Sequence, residues 1–286
     1  MTNINQRTIN NSISCNSIGL HTGCNVVLNL KPAEPNTGII FKRVDLPAPN
    51  NEIIADFRNV TTTNLGTTIA NQFGVSVSTI EHLLGAIWGC KIDNLIIEVD
   101  NVEIPIMDGS SAPFIFLIEC AGIVSQNQNR KIIEILDEIT LRDGDKFISI
   151  KPSNDFIIDL TIDFNHPLIN HKTLKFNSSI HSFKNDLSRA RTFCFASEIE
   201  MMRKNNLAKG GSLENAIVID DNKILNNEPL RYIDEFIRHK AIDFIGDLFL
   251  SRHYINGSVE AHKVGHTINN KFIHHLFAST DKWRLV

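Results

Sequence analysis

Residues 228–253 read EPLRYIDEFIRHKAIDFIGDLFLSRH. Leu230, Ile233, Ile237, Phe244, Ile245, Leu248 and Phe249 recur at helical rather than strand spacing. With Ala241 and Ile242 they cover one broad arc at about 100° per residue. The narrow face left over carries His239, Asp243 and Asp247, each four residues from the next. Side chains at i and i+4 have Cβ atoms about 6 Å apart, so His239 and Asp243 can grip one ion together. A neutral imidazole and a carboxylate suit a borderline tetrahedral cation such as Zn²⁺. Asp247, a turn further on, is placed to hold another side chain. A solvated face that happens to carry a His and two Asp has the same spacing, so the reading depends on a third ligand.

The candidate for that ligand is His82, in TIEHLLGA (79–86), a helix expected from about Thr79 to Trp88; alone it could equally be a structural histidine. His82, His239 and Asp243 make three protein ligands with a fourth position open, the arrangement of catalytic zinc. Coordination can lower the pKa of bound water from 15.7 to about 7. Glu81 is then the candidate general base. Ser78-Thr79-Ile80-Glu81 also fits a capping box, in which the glutamate caps its own helix. Further on, HKVGHTINNK sets His266 at a helix start after a glycine turn. A helix N-terminus disfavours imidazolium, whereas a carboxylate such as Asp247 favours it. Paired with Asp247, His266 would be a protonated general acid or an electrostatic stabiliser; alone it could equally cap its helix. Lys240 and Lys263 could neutralise phosphates, or could be solvated surface groups.

The chain has 286 residues, 42% of them apolar, and a formal charge of −4. It can bury a large core, and it lacks the basic block of a general nucleic-acid binder. The N-terminus has no apolar signal region and no stretch approaches 18 continuous apolar residues, so no membrane insertion is expected. Five cysteines without a CxxC fit a reducing cytoplasm.

Strands are expected around Val26, Leu28 and Leu30, at Ile39 to Phe41, and at NLIIEV (94–99). A turn at Asp108-Gly109 precedes a helix beginning near Ser111-Ala112-Pro113. The polar run SQNQNR (125–130) reads as a linker. Beyond it come KFISIKP, the strictly alternating FIIDLTIDF (156–164), the His239 helix, the strand-like NGSVEAHKVG and a final helix TINNKFIHHLFAS. Each half thus runs strands, helix, strand, helix. The fold class is α+β, a duplication with a first domain over 1–125, a linker at 126–130 and a second domain over 131–286. The stretch 195–225 interrupts the second half with a helix (SEIEMMRKNN), the pair Gly210-Gly211 and a short strand AIVID.

TIEHLLGA, IDNLIIEVDNVEIPIMDGSSAPF, IDFNHP, SRARTF, KGGSLENAIVIDD, FIRHKAIDFIGDLFL and KVGHTINNK, with GLHTG near the start, resemble the UDP-3-O-acyl-N-acetylglucosamine deacetylases. These are zinc-dependent enzymes of lipid A biosynthesis in Gram-negative bacteria, and the resemblance runs from about residue 6 to about residue 284. It implies two similar domains packed helix to helix, each with a small insert and with the active site between them. It implies one zinc per chain, replaceable by Fe²⁺ in the cell, held by His82, His239 and Asp243. Glu81 would be the base, His266 the acid supported by Asp247, and Thr192 the partner of the carbonyl oxygen. Metal-activated water would attack the 2-acetamido carbonyl of UDP-3-O-(3-hydroxyacyl)-N-acetylglucosamine, and acetate would leave.

The resemblance further implies an apolar acyl passage in the 195–225 insert, with Ile199, Met202, Ala208, Gly210 and Ile217 on it. It implies a nucleotide site at Lys240, Lys263, Phe164, Asp163 and Lys146, with Phe193 beside the metal. Gly66 stands where many members have cysteine, and Ala208-Lys209 replaces a more apolar pair. The expected protein is a cytoplasmic monomer acting on a small molecule, with at most a transient contact with the inner-membrane surface. Two other functions use the same residues. A deacetylase of another N-acetylated sugar nucleotide would not need a greasy passage, and a non-catalytic acyl-binding module would not need a base and an acid beside an open metal position.

Overall fold

In the computed structural model, which describes residues 4–179 and 181–286, two sheets share one topology. The first is built from Ile13–Ile18, Asn25–Pro32, Ile39–Arg43, Glu52–Ile54 and Leu95–Val99, in the spatial order first, second, fifth, third, fourth. The second, of seven strands, contains Ile139–Asp143, Lys146–Lys151, Phe156–Ile162, Lys172–Asn177 and Tyr254–His262 in the same order, and adds Ile132–Ile135, parallel to Tyr254–His262, with Trp283–Leu285 beside it. In each, the fifth strand lies antiparallel to the second and parallel to the third. The period-2 pattern pays out directly: along Phe156–Ile162 every other side chain is buried.

Among the described residues, five α-helices complete the halves: α1 (Glu81–Gly89), α2 (Ala112–Ala121), α3 (Ala196–Lys204), α4 (Glu235–Leu248) and α5 (His266–Ala278). α1 and α4 precede the fifth strand of their sheets, and α2 and α5 follow it. A small extra sheet precedes α1 (Val60–Thr62, Thr68–Ala70, Ser76–Val77), and another, with α3, precedes α4 (Phe193–Phe195, Ile217–Asp220, Lys223–Ile224).

The halves meet where α1 lies along α4. Gly246 makes this approach feasible, because a Cβ there would fall 2.1 Å from the carbonyl oxygen of Glu81. Gly85 faces Ile242 in the same way, with a Cβ position 3.3 Å from Ile242 Cγ2. The backbone contact at Gly246 sets the first turn of α1 against the face of α4 that carries His239, Asp243 and Asp247. That face is not solvated: the three residues are 2%, 3% and 1% exposed.

Four expectations about local structure are corrected. The 228–253 stretch is helical only from Glu235, because the Glu235 carboxylate accepts the Arg231 N–H at 2.5 Å and holds the preceding residues in a loop; Ile233 is 97% exposed. α1 starts at Glu81 rather than Thr79, since Thr79 has φ +57° and cannot continue a right-handed helix. The capping box does not form, as α1 has no side-chain cap and the Glu81 carboxylate instead accepts the Thr67 N–H at 3.0 Å. The 125–130 run is no free linker: Ile123–Asn129 is a strand paired antiparallel with Asn5–Ile9. Its polar residues have partners that composition could not reveal, with Asn94 donating to Gln126 at 2.7 Å and Arg130 forked onto Asp93 at 2.7 Å.

Candidate active site

α1 and α4 bring together His82, His239 and Asp243, whose ligand atoms all lie within 4.8 Å of one another. Asp243 Oδ1 is 3.3 Å from His239 Nε2 and 3.6 Å from His82 Nε2. The two imidazole planes are nearly perpendicular, at 79°, with centroids 4.8 Å apart. His239 Nδ1 lies 3.0 Å from the Ala190 carbonyl, which fixes the proton on Nδ1 and leaves the Nε2 lone pair free. Burial pushes the His239 imidazole down to about 3, so the ring is neutral. Burial opposes charge on Asp243, yet the Lys240 ammonium beside it holds its carboxyl well below the ordinary range.

Whether these residues suit a metal can be tested on one atom. Asp243 Oδ1 is buried without a hydrogen-bond partner, while Oδ2 accepts from Lys240 at 3.0 Å. A buried carboxylate oxygen left bare is costly unless something else completes its shell. Two imidazole nitrogens and one carboxylate oxygen are the donor set of a tetrahedral site with one position open. The residues present fit a divalent cation such as zinc.

Beside this cluster lies a second one. His266, the first residue of α5, has Nδ1 2.8 Å from Asp247 Oδ2 and Nε2 3.8 Å from Glu81 Oε1. Burial would strip its proton, but Asp247 and Glu81 outweigh it and raise His266 to about 10. Glu81 is raised above the ordinary carboxylate range, chiefly by burial. Two residues that sequence reasoning missed hold Asp247: the Thr67 hydroxyl donates to Oδ1 at 2.6 Å, and Asn269 donates to Oδ2 at 2.8 Å. Asn269 lies three residues after His266, a helical i, i+3 spacing that the sequence contained. Thr67, among the threonines of TTTNLGTT, had no such signal. Gly66 packs on the Glu81 carboxylate, since a Cβ there would lie 3.0 Å from Glu81 Oε1.

Ile199, Met202 and Ala208 line a cavity of about 290 Å³, with Leu20 and Leu65 contributed by the first half. Thr192 and Phe193 line it too, and the Phe193 ring lies 6.3 Å from that of His239, so the cavity abuts the ligand cluster. Strand alternation turns Ile217 into the core, fully buried, and gives the wall to Ala216 and Val218 instead. Gly210 is also absent from the lining; a Cβ there would meet the Gly19 carbonyl at 2.2 Å, so it serves close packing against the GLHTG loop. Asp163, Phe164 and Lys263 share an open cleft. The Lys263 ammonium is held there by Asp145 at 2.6 Å and Asp163 at 3.4 Å. Lys146 is exposed at the start of its strand and outside that cleft, and the Lys240 ammonium is given to Asp243 rather than to solvent.

A family model described as UDP-3-O-acyl N-acetylglycosamine deacetylase matches residues 6–278. Among curated relatives named UDP-3-O-acyl-N-acetylglucosamine deacetylase, one from Saccharophagus degradans is 50% identical over 287 residues, covering 99% of this chain and 93% of its own length. Another, from Pseudoalteromonas atlantica, is 47% identical over 287 residues with the same coverage. A relative from Haemophilus influenzae is 47% identical over 285 residues, again covering 99% and 93%.

Proposed function

The chain belongs to the UDP-3-O-acyl N-acetylglycosamine deacetylase family, and from that premise we propose how its own residues carry out the reaction. It is an enzyme, a hydrolase of lipid A biosynthesis, and it removes the 2-acetyl group of UDP-3-O-acyl-N-acetylglucosamine. Water adds to the amide carbon, the C–N bond breaks, and the products are the free amine and acetate.

His82, His239 and Asp243 hold the metal, with zinc favoured by the N, N, O donor set. A bound zinc ion supplies Lewis-acid polarisation and makes water acidic enough to react at neutral pH. Glu81 takes the proton from the attacking water. Its burial raises its basicity, and Thr67 pins Oε2 so that Oε1 faces the reaction centre. His266 gives a proton to the departing nitrogen from Nε2, while Asp247 holds Nδ1 and keeps the ring charged. With Nε2 and Oε1 separated by 3.8 Å, the acid and the base flank one amide from adjacent directions. Thr192 donates its hydroxyl to the carbonyl oxygen as charge develops there. The acyl chain occupies the 290 Å³ cavity, and the diphosphate meets Lys263 in its open cleft.

With the division into two domains near residues 126–130, α1 of the first packs along α4 of the second, and one chain supplies every residue of the site, which fits a monomer. No helix among the described residues is long and apolar enough to cross a membrane. The five cysteines are all free, which fits a reducing cytoplasm. An acylated substrate is compatible with transient contact with the inner-membrane surface.

The observation that carries this reading is the bare, buried Asp243 Oδ1 between two imidazole nitrogens. The test is acetate release from UDP-3-O-(3-hydroxyacyl)-N-acetylglucosamine, before and after removal of metal with a chelator. Activity that is lost on chelation and restored by zinc supports it. Full activity in metal-free protein contradicts it.

A further inference from the structure

Glu235 opens α4 one turn before His239 and two turns before Asp243, so the polar face of the helix begins with a carboxylate that the reaction above does not use. It is 0% exposed, and its partner Arg191 is 1% exposed. Oε1 accepts the Arg191 backbone N–H at 3.0 Å and the Arg191 Nε–H at 2.9 Å. Oε2 accepts from Arg191 Nη2 at 3.3 Å and from the Arg231 N–H at 2.5 Å. Arg191 Nη2 also donates to the Pro229 carbonyl at 3.0 Å. A glutamate at a helix start ordinarily serves the helix's own N–H groups. This one serves the segments at 191 and 231 instead, and α4 has no side-chain cap.

The residues on either side of Arg191 show what is being held. The Ala190 carbonyl stands 3.0 Å from His239 Nδ1, and Thr192 lies on the cavity wall. The peptide after Arg191 is tied down as well: Thr192 N–H donates to the Gly109 carbonyl at 2.8 Å, and Ile217 N–H donates to the Thr192 carbonyl at 2.8 Å. Three consecutive residues thus meet, in turn, a metal-ligating imidazole, the base of the ligand-bearing helix and the cavity. We propose that the Arg191–Glu235 pair is a positioning device for the metal centre. It staples the 190–192 segment to α4 so that the Ala190 carbonyl holds His239 in one tautomer and one ring orientation. The inference rests on His82, His239 and Asp243 being the metal site.

The test removes both charges at once, because taking one partner alone would leave an orphan charge in the core. Arg191→Met/Glu235→Met is compared with wild type in three measurements: thermal midpoint of the metal-free protein, zinc affinity by chelator competition, and the visible absorption of the cobalt(II)-substituted protein. The expected result is a midpoint near wild type, zinc affinity about 10- to 100-fold weaker, and altered cobalt bands. Arg191→Lys keeps the charge but loses the planar fork, and it is expected to weaken zinc in the same direction. Wild-type affinity and cobalt bands in the folded double variant overturn the proposal. If the double variant does not fold, the same two readings on Arg191→Lys decide it. His239→Ala is run alongside. One tight zinc retained there sinks the metal-site reading itself, whereas zinc lost in His239→Ala but untouched in the Arg191 variants sinks the positioning role alone.

Discussion

Nδ1 of His266 stands 2.8 Å from Oδ2 of Asp247, a carboxylate already holding the Thr67 hydroxyl and the Asn269 amide. The opposite nitrogen of the same ring faces Glu81. A carboxylate and an imidazole are therefore set side by side with their proton affinities pushed upward, by burial in Glu81 and by flanking carboxylates in His266.

The rate should rise with pH as Glu81 loses its proton, at a pKa above the ordinary carboxylate range, and fall as His266 loses its own near 10. Asp247→Asn should move the alkaline limb to lower pH by removing the nearest charge. The same shift has a sign for stability. His266 is raised from an ordinary 6.5 to about 10, so its contribution is complete below 6.5 and is lost as pH rises through 10. The difference in thermal midpoint between metal-free wild type and Asp247→Asn should shrink across that window. An alkaline limb that Asp247→Asn does not move would remove His266 as the acid.

Glu81→Ala should keep metal content near wild type while activity falls by about 10²- to 10⁴-fold, the range for losing a general base. Metal content and acetate release, measured on one preparation, check this. Joint loss of metal and fold would mean that the glutamate serves the architecture.

Gly246→Ala should destabilise the protein by about 3 kcal/mol, because the new methyl would fall 2.1 Å from the Glu81 carbonyl and the helices must part. Zinc affinity should drop with it, since parting α1 from α4 separates His82 from Asp243. Denaturant unfolding with parallel metal titration tests both; wild-type stability would show that the contact at Gly246 is dispensable.

Ala216→Phe puts a ring into the cavity wall and should raise KM for a long-chain substrate by about tenfold or more, leaving a short-chain analogue nearly unaffected. Equal effects on both substrates would move the acyl chain elsewhere.

Much of this was legible because helices repeat. The four-residue spacing of His239, Asp243 and Asp247 marked one face of α4, and the alternation in 156–162 marked a strand buried on one face. The order of elements suggested a duplication, and the strand order that five strands of each sheet share needed coordinates. What stayed hidden depends on contacts between distant segments. The meeting of His82 with α4 turns on two glycines, Gly85 and Gly246, whose close approach has no one-dimensional signature. Thr67 matters through an N–H on Glu81 and a hydroxyl reaching Asp247 from 180 residues away. Val218 faces the cavity in place of Ile217 because strand pairing decides which of two neighbours does so. Glu235 was visible in principle, one further step back along the register of His239.

The central claim is that His82, His239 and Asp243 share one ion, and the most direct measurement is a crystal structure of zinc-loaded protein with anomalous data at the zinc edge. The expected result is one peak per chain, about 2.0–2.1 Å from one nitrogen of each of these imidazoles and about 2.0–2.2 Å from an Asp243 oxygen. A peak held by other residues, with this triad bare, would contradict the account.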